Sequence, residues 1–383
     1  MRRKLKDRDA GKGLAAAAKR FAAFRHARDV LTSVRAKRTR FVQLDHATGV
    51  GGLPLDRFML LHGPSGEGKT YLSLGLEDSM LDHGDYVLHV DAERTTPIDW
   101  ARQVMRNADS DRFFASRPET YEETVKAVRE FLLALKAARD AGEVGAETTG
   151  LVVVDSLRKL VPKGILDKIL KATKDAKGID GVGGRAAQIK AAMNAAWMDE
   201  VVPLLEHTGT AFLAITREAE DPDADSWARA SGNAYKVGGG KAIYYDASLV
   251  MRVTRASYVT EKKGEDEKER AVVYGERHRV TVRKTKVAGQ EDKVTQCYFH
   301  TSNGKLVAEG FDRARDVLEL AERFKVVHAG TSGWIAWHRH KWQGRHAAVR
   351  KLTAMPDALR ELETEVRAKF EEHETQEVKE PTT

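Results

Sequence analysis

Short runs of consecutive apolar residues alternate along this chain with longer stretches of helical spacing. Arg57 to His62 reads as a buried strand, and a helix pattern follows from Lys69 to about His83. Tyr86 to Val90 is a second strand, ending at Asp91-Ala92-Glu93. Val125, Val128, Leu132 and Leu135 then mark one helix face before a glycine-punctuated loop from Ala141 to Gly150. Leu151 to Val154 is four apolar residues in a row, as expected of a central parallel strand covered on both faces. Ala187 to Leu205 predicts a helix and Ala211 to Ile215 the next strand. This alternation argues for a doubly wound, mainly parallel α/β sheet.

Two polar stretches interrupt it, residues 163–184 and 218–240, each just after a strand end, where long loops are usually functional or disordered. Ala247 to Thr254 and Arg279 to Lys284 look like further strands, joined by a charged turn from Glu261 to Arg270. Before the sheet, Leu14 to Leu31 carries alanines, Phe21, Phe24 and Val30 between basic residues, which predicts one or two amphipathic helices. After Phe311 helical patterns return, with Trp334, Trp337 and Trp342 close together. The chain therefore divides into a basic helical segment (1–45), an α/β core (46–309), a small α+β C-terminal domain (310–372) and an acidic tail (373–383) expected to be disordered.

Composition narrows the class. No apolar run approaches a membrane span and no secretory signal is evident, so a cytoplasmic protein is expected. The single cysteine, Cys297, agrees, since it has no second thiol to pair with. The net charge of +7 is uneven: residues 1–40 hold 14 Lys/Arg against 3 Asp/Glu, a surplus of 11, which leaves the remainder at −4. Such a basic arm suits phosphate backbone or a docking partner, and charge alone does not choose between them.

The chemistry concentrates at Gly63-Pro64-Ser65-Gly66-Glu67-Gly68-Lys69-Thr70, which fits G-x-x-x-x-G-K-[ST] between a predicted strand and helix. Glycines let backbone N–H groups approach phosphate oxygens, the helix N-terminus adds its positive dipole end, Lys69 neutralises the outer phosphates, and Thr70 ligates Mg²⁺. ATP and Mg²⁺ are thus the expected cofactors. Asp155, closing its strand, is placed to hold the metal through water, with a helix-capping role as the alternative. Glu93, ending the neighbouring strand, is a candidate to orient and deprotonate the attacking water.

Taken in order, Gly51-Gly52-Leu53-Pro54, the phosphate loop, Val90-Asp91-Ala92-Glu93, Leu151 to Ser156, and Gly239-Gly240 leading into Lys241 to Ser248 resemble the bacterial RecA recombinase family. Gly333-Trp334 to Gly344, Ala347 to Leu352 and Pro356 to Phe370 resemble that family's C-terminal domain, which RadA-type and replicative DnaB-type helicases lack. So diverged a sequence is similar in kind to the phage recombinase UvsX, which would place it in a host cytoplasm. The resemblance implies a helical homo-oligomeric filament on single-stranded DNA, ATP at each subunit interface, DNA-stimulated hydrolysis, and homologous pairing and strand exchange with duplex DNA. It also implies that Glu93 is the catalytic base, that Tyr71 and Trp100 contact the nucleotide, with Trp100 stacking on adenine, and that Lys284 and Lys286 reach a neighbour's γ-phosphate. Read without the family, those lysines are edge-strand solubility residues.

The same resemblance places two DNA-binding loops at 163–184 and 218–240. In the first, Lys163, Lys168, Lys171, Lys174, Lys177 and Arg185 suit phosphates. In the second, Arg229, Lys236 and Lys241 are the cations, with Trp227 or Tyr235 as wedge or stacking group. His338 to Lys341, Arg345 and Arg350 suggest a basic surface for duplex. One departure stands out. Where the family has Asn-Gln, this chain has Thr216-Arg217, so Arg217 takes the place of the expected γ-phosphate sensor. A RecA-fold helicase, or a non-hydrolysing annealing filament switched by nucleotide, are the alternative readings.

Overall fold

The computed structural model describes residues 33–174, 183–231, 233–261, 272–288, 291, 293–302, 305–330 and 333–377, and the helical pattern from Leu14 to Leu31 lies outside them. From Ala36 onward the chain forms one compact unit. β1 (Ala36–Lys37) pairs with β2 (Leu53–Pro54), and α1 (Val42–Thr48) lies between them in sequence. The alternating core follows as β3 (Phe58–Gly63), α2 (Lys69–Asp82), β4 (Tyr86–Asp91), α3 (Ile98–Val104), β5 (Phe113–Ser116), α4 (Tyr121–Asp140), β6 (Gly150–Asp155), α5 (Lys163–Lys174), α6 (Gly183–Thr208), β7 (Thr210–Glu220), α7 (Ser226–Ala230), β8 (Tyr235–Val237) and α8 (Lys241–Asp246). Four long strands come next: β9 (Leu249–Glu261), β10 (Val272–Thr285), β11 (Val294–Ser302) and β12 (Lys305–Phe311). The C-terminal part holds α9 (Arg313–Arg323), β13 (His328–Ala329), β14 (Trp334–Trp337), β15 (His340–Gln343), α10 (Arg345–Thr353) and α11 (Pro356–Glu377).

Ten strands form the central sheet in the order β12-β11-β10-β9-β3-β7-β6-β4-β5, with β8 pairing on β7. The stretch from β9 to β5 is parallel, and β10, β11 and β12 extend it antiparallel. The fold is therefore α/β with a mainly parallel sheet and a small separate antiparallel sheet, β13-β14-β15. Period-two alternation sorts each central strand between two layers. Met59 and Leu61 pack with α1, α2 and α3, whereas Phe58 and Leu60 pack with α4 and α6. Helix α2 is buried on nearly every side, its polar residues Ser73, Glu77, Asp78 and Ser79 included, so no solvent-facing polar stripe marks it.

The C-terminal helices hold a third cluster built on Val317, Leu318, Trp337, Trp342, Leu362 and Phe370, which also takes in Val42 of α1. Arg367 of α11 reaches Asp45 of α1 at 2.8 Å, a buried ion pair tying the two together. Of the three tryptophans, two are core and Trp334 is 36% exposed.

Several sequence expectations change. The polar stretch from residue 163 is largely helix, because Ile165, Leu166, Ile169 and Leu170 recur at helical spacing, and α6 starts at Gly183 rather than Ala187. The second stretch is a β7–β8 hairpin with a short helix at its tip. The run predicted as a strand from Ala247 starts at Leu249, after helix α8. Lys284 lies on β10, an inner strand of the sheet, but past the last residue paired with β11, so at that position β10 pairs with β9 alone. Helix α11 continues to Glu377, past the point where composition suggested a disordered tail.

Gly75 supplies a test of packing against propensity. A Cβ there would lie 2.4 Å from Cζ of Phe41, a ring with 0% exposure. Helix propensity favours alanine over glycine by about 1 kcal/mol, but overpacking costs about 1–3 kcal/mol. Gly75→Ala should therefore lower the urea midpoint, and adding Phe41→Leu should recover part of the loss.

Candidate functional site

Strand β3 ends at Gly63 and helix α2 begins at Lys69, and between them the chain turns through Gly66 (φ 79°) and Gly68 (φ 83°), both left-handed. A cavity of about 350 Å³ opens over this loop. Parallel register decides what else lines it. Gly63 pairs with Arg217, Asp155 with Ile215, and Asp91 with Asp155, so the ends of β3, β7, β6 and β4 meet at one edge.

Lys69 donates to the carbonyls of Gly63 (3.0 Å) and Pro64 (2.5 Å), and burial lowers its pKa against the nearby carboxylates. The Thr70 hydroxyl donates to Asp155, a carboxyl that burial pushes up to about 6. Glu93 sits across the cavity. Ser156 Oγ donates to its Oε1 at 2.6 Å and Arg217 to its Oε2 at 2.6 Å. Burial favours a raised Glu93 pKa, but those two hydrogen bonds and the guanidinium charge outweigh it and hold the carboxyl below its usual range. Asp91, just before Glu93, accepts from the N–H groups of Thr95 and Thr96 and so fixes the turn that presents it. Trp100 of α3 and Tyr71 of α2 line the apolar end, their rings 6.4 Å apart, and Trp100 is half-buried rather than sealed in the core.

The antiparallel strands add a wall that the sequence reading missed. Arg255 and His278 face each other across β9 and β10. Arg255 donates to Gly66 O at 2.8 Å and through its backbone N–H to the Glu67 carboxylate. His278 contacts Glu67 O (2.9 Å) and Glu276 (3.0 Å), and burial keeps its imidazole below its ordinary pKa despite that carboxylate. A Cβ at Gly68 would come within 2.8 Å of the same imidazole, so the glycine is required by φ and by space. Nothing in strand alternation marks these residues, because only the register brings them to the loop. Ser156 was likewise visible within a motif but not as Glu93's partner.

Lys284 and Lys286 lie elsewhere. Lys284 pairs with Val250, itself opposite Leu60, so it stands about 10 Å down the strands from Gly63. Its ammonium donates to Tyr244 O and Tyr245 O at 2.7 Å each, and that of Lys286 to Tyr245 O at 2.6 Å. Burial, then the Lys286 charge, lowers Lys284 to about 8.

On α5, Lys163, Lys168 and Lys171 are exposed, while the side chain of Arg185 and residue Lys177 are outside the described set, as is the side chain of Lys174. In the hairpin, Lys236 pairs with Asp221 (2.7 Å) and Asp223 (3.2 Å), and Arg229 folds back onto the carbonyls of Pro222 and Ala224. Lys241 is exposed and Trp227 is 74% exposed. Tyr235 is held beneath Arg252, 4.0 Å from its ring centroid, which leaves Trp227 as the aromatic presented to solvent. In the C-terminal part His338 is engaged by Glu365 and Arg345 by Glu322. No helix among the described residues is long and apolar enough to cross a membrane.

This geometry defines a P-loop nucleotide-binding protein on a mixed α/β sheet. The comparisons give the family: the model of the RecA N-terminal domain matches residues 20–216, more than half of the chain, and this protein belongs to the RecA family. It is similar to Protein RecA of Bifidobacterium breve (26% identical, covering 87% of this chain and 73% of the relative). It is also similar to Protein RecA of Salinispora tropica (27%, covering 87% and 82%) and of Aquifex pyrophilus (27%, covering 86% and 81%).

The wall over the phosphate loop yields a prediction. Arg255→Ala removes a charged donor from Gly66 O, and such hydrogen bonds contribute about 1.5–3 kcal/mol. Affinity for a fluorescent ATP analogue should fall about tenfold or more, with little change in the thermal midpoint because Arg255 is one-third exposed.

Proposed function

We propose that this protein is an ATP-dependent homologous recombinase that forms a helical filament on single-stranded DNA and catalyses homologous pairing and strand exchange. One observation carries the reading. The described chain assembles Lys69, Thr70, Asp155 and Glu93 around one cavity, while Lys284 and Lys286 point their ammonium groups at carbonyls away from it. That is half of a site that a second copy would complete. The family relationship and the C-terminal helical part support the same assembly.

The donor set suits Mg²⁺-ATP. The hydroxyl of Thr70 and carboxylate of Asp155 are hard oxygen ligands already in contact, and the loop glycines leave phosphate oxygens access to backbone N–H groups. When bound, the ion would offset phosphate charge. Gly63 to Gly68 with Lys69 hold the phosphates, Tyr71 and Trp100 hold the base, and Glu93 takes a proton from the attacking water. Arg217 holds Glu93 through one oxygen and Ser156 through the other, which aims the carboxylate. Lys284 and Lys286 from the adjacent subunit would stabilise charge developing on the γ-phosphate, as an arginine finger does. Lys163, Lys168, Lys171, Arg185, Arg229, Lys236 and Lys241 would contact DNA phosphates. Among those described, the α5 lysines are the more available, since Lys236 is already paired.

A second reading is favoured by Arg217 itself. A carboxylate engaged by a guanidinium is a weaker base, which fits a filament that uses nucleotide as a switch and anneals strands with slow hydrolysis. Joint-molecule formation between circular single-stranded and homologous linear duplex DNA decides: none with ATP would overturn the recombinase reading. Glu93→Gln should cut the DNA-stimulated hydrolysis rate by about 10²–10⁴-fold while nucleotide still binds. Mixing Glu93→Gln with Lys284→Ala/Lys286→Ala subunits should give more hydrolysis than either alone, because some interfaces then carry both intact halves. An unimproved mixture would exclude action across the interface.

The Lys284 charge supplies a pH test. It is present below about 8 and lost above it, so single-turnover hydrolysis should decline as pH rises through about 8. Lys284→Arg should move that decline to higher pH.

A further inference from the structure

Turns built on glycine flip easily. The peptide between Glu67 and Gly68 rotates at little cost, because Gly68 tolerates φ of either sign, and Gly66 gives its own peptide with Glu67 the same freedom. In a phosphate loop a flip matters. The carbonyl and N–H of a trans peptide point in opposite directions, so one orientation offers phosphate a donor and the other an oxygen that repels it.

Strands β9 and β10 choose the orientation. Arg255 and His278, opposite each other in register, reach consecutive carbonyls of this turn: Arg255 Nη2 donates to Gly66 O at 2.8 Å, and His278 Nδ1 lies 2.9 Å from Glu67 O. A carbonyl oxygen only accepts, so Nδ1 carries a proton whether the ring is neutral or charged. With both oxygens held by these strands, the N–H groups of Glu67 and Gly68 are turned away from them. Among the described residues the Gly68 N–H meets no backbone acceptor, which leaves it to a ligand in the cavity that this turn lines with Lys69 and Thr70. The imidazole is itself braced. Its Nε2 faces Glu276 at 3.0 Å, Arg255 Nε stands 3.5 Å from the same carboxylate, and the His278 side chain is only 2% exposed. A ring can also rest on a loop merely to fill space, and any of its atoms would serve for that. Here one defined nitrogen makes a polar contact, the ring sits where a Cβ on Gly68 would come within 2.8 Å of it, and the adjoining carbonyl is held in the same way from the neighbouring strand.

We propose that His278 is a positioning residue for nucleotide binding: by donating from Nδ1 to Glu67 O it fixes the Glu67–Gly68 peptide so that the Gly68 N–H is presented to a nucleotide phosphate. Arg255 does the same for the peptide before it. The inference rests on the phosphate loop holding nucleotide, as proposed above, and adds a residue 211 positions along the chain that sets the loop's donor geometry. It requires the Nδ1 proton and not a charge on the ring.

Asparagine carries an amide N–H at the position of Nδ1, and glutamine carries its own one atom further out, at that of Nε2, so the two separate the donor from the bulk. Affinities of the full chain for ADP and for adenosine are measured by competition with a fluorescent ADP analogue. His278→Gln and His278→Ala should each weaken ADP about five- to tenfold, the effect of one hydrogen bond, while His278→Asn stays within about twofold of the wild type. Adenosine, which has no phosphate, should bind all four proteins alike. A loss with Asn as large as with Gln, or no loss with Gln, overturns the inference. So does an equal fall for adenosine, because the replacement then disturbs the whole cavity. His278 is buried, so thermal midpoints accompany each affinity, and the Asn and Gln pair decides if the Ala variant does not fold. A wild type that fails to bind ADP overturns the nucleotide reading, and this inference with it.

Discussion

The parallel pairing of β3, β7, β6 and β4 is the constraint on which the site depends. Parallel strands end on the same edge of a sheet, so backbone hydrogen bonds alone bring Gly63 level with Arg217, and Asp91 level with Asp155 two residues short of that pair. The register is rigid because both faces are buried: Phe58 and Leu60 belong to one apolar layer and Met59 and Leu61 to the other, and a one-residue slip would exchange them. Loop, metal-ligand candidate and base candidate are therefore positioned by the core rather than by contacts with one another.

On that frame the site's electrostatics are set by neighbours. Burial raises Asp155 and lowers Lys69, both toward their neutral forms, as expected of a cavity prepared for a highly charged ligand. Glu93 goes the other way, because Ser156 and Arg217 satisfy both of its oxygens. Arg217 is the point at which this chain departs from its family resemblance, and the structure gives it a partner within the site. The β9–β10 hairpin then closes the other side of the loop through Arg255, Glu276 and His278, tying the antiparallel half of the sheet to the nucleotide cavity.

Much of this was legible beforehand. The apolar runs located β3, β4, β6 and β7 to within a residue or two at their starts, since a strand buried on both faces must be apolar throughout. The phosphate loop was legible because its chemistry needs fixed residue types at fixed spacing. Polar stretches were read less well. Residues 163–174 are helix because Ile and Leu recur along one side, a signal diluted by the exposed Lys163, Asp167, Lys168 and Lys171 around it. The β7–β8 hairpin, with acidic and basic side chains on an uncovered surface, has no apolar period to betray it.

The sequence by itself determined which segments are buried and which loop can cradle phosphate, because burial and backbone geometry restrict residue types locally. Tertiary structure alone decided that Arg217 reaches Glu93, 124 positions away, that Arg255 and His278 roof the loop, and that Lys284 turns away from it. These are consequences of strand order, register and domain packing, for which a charged residue on an exposed face carries no local signature.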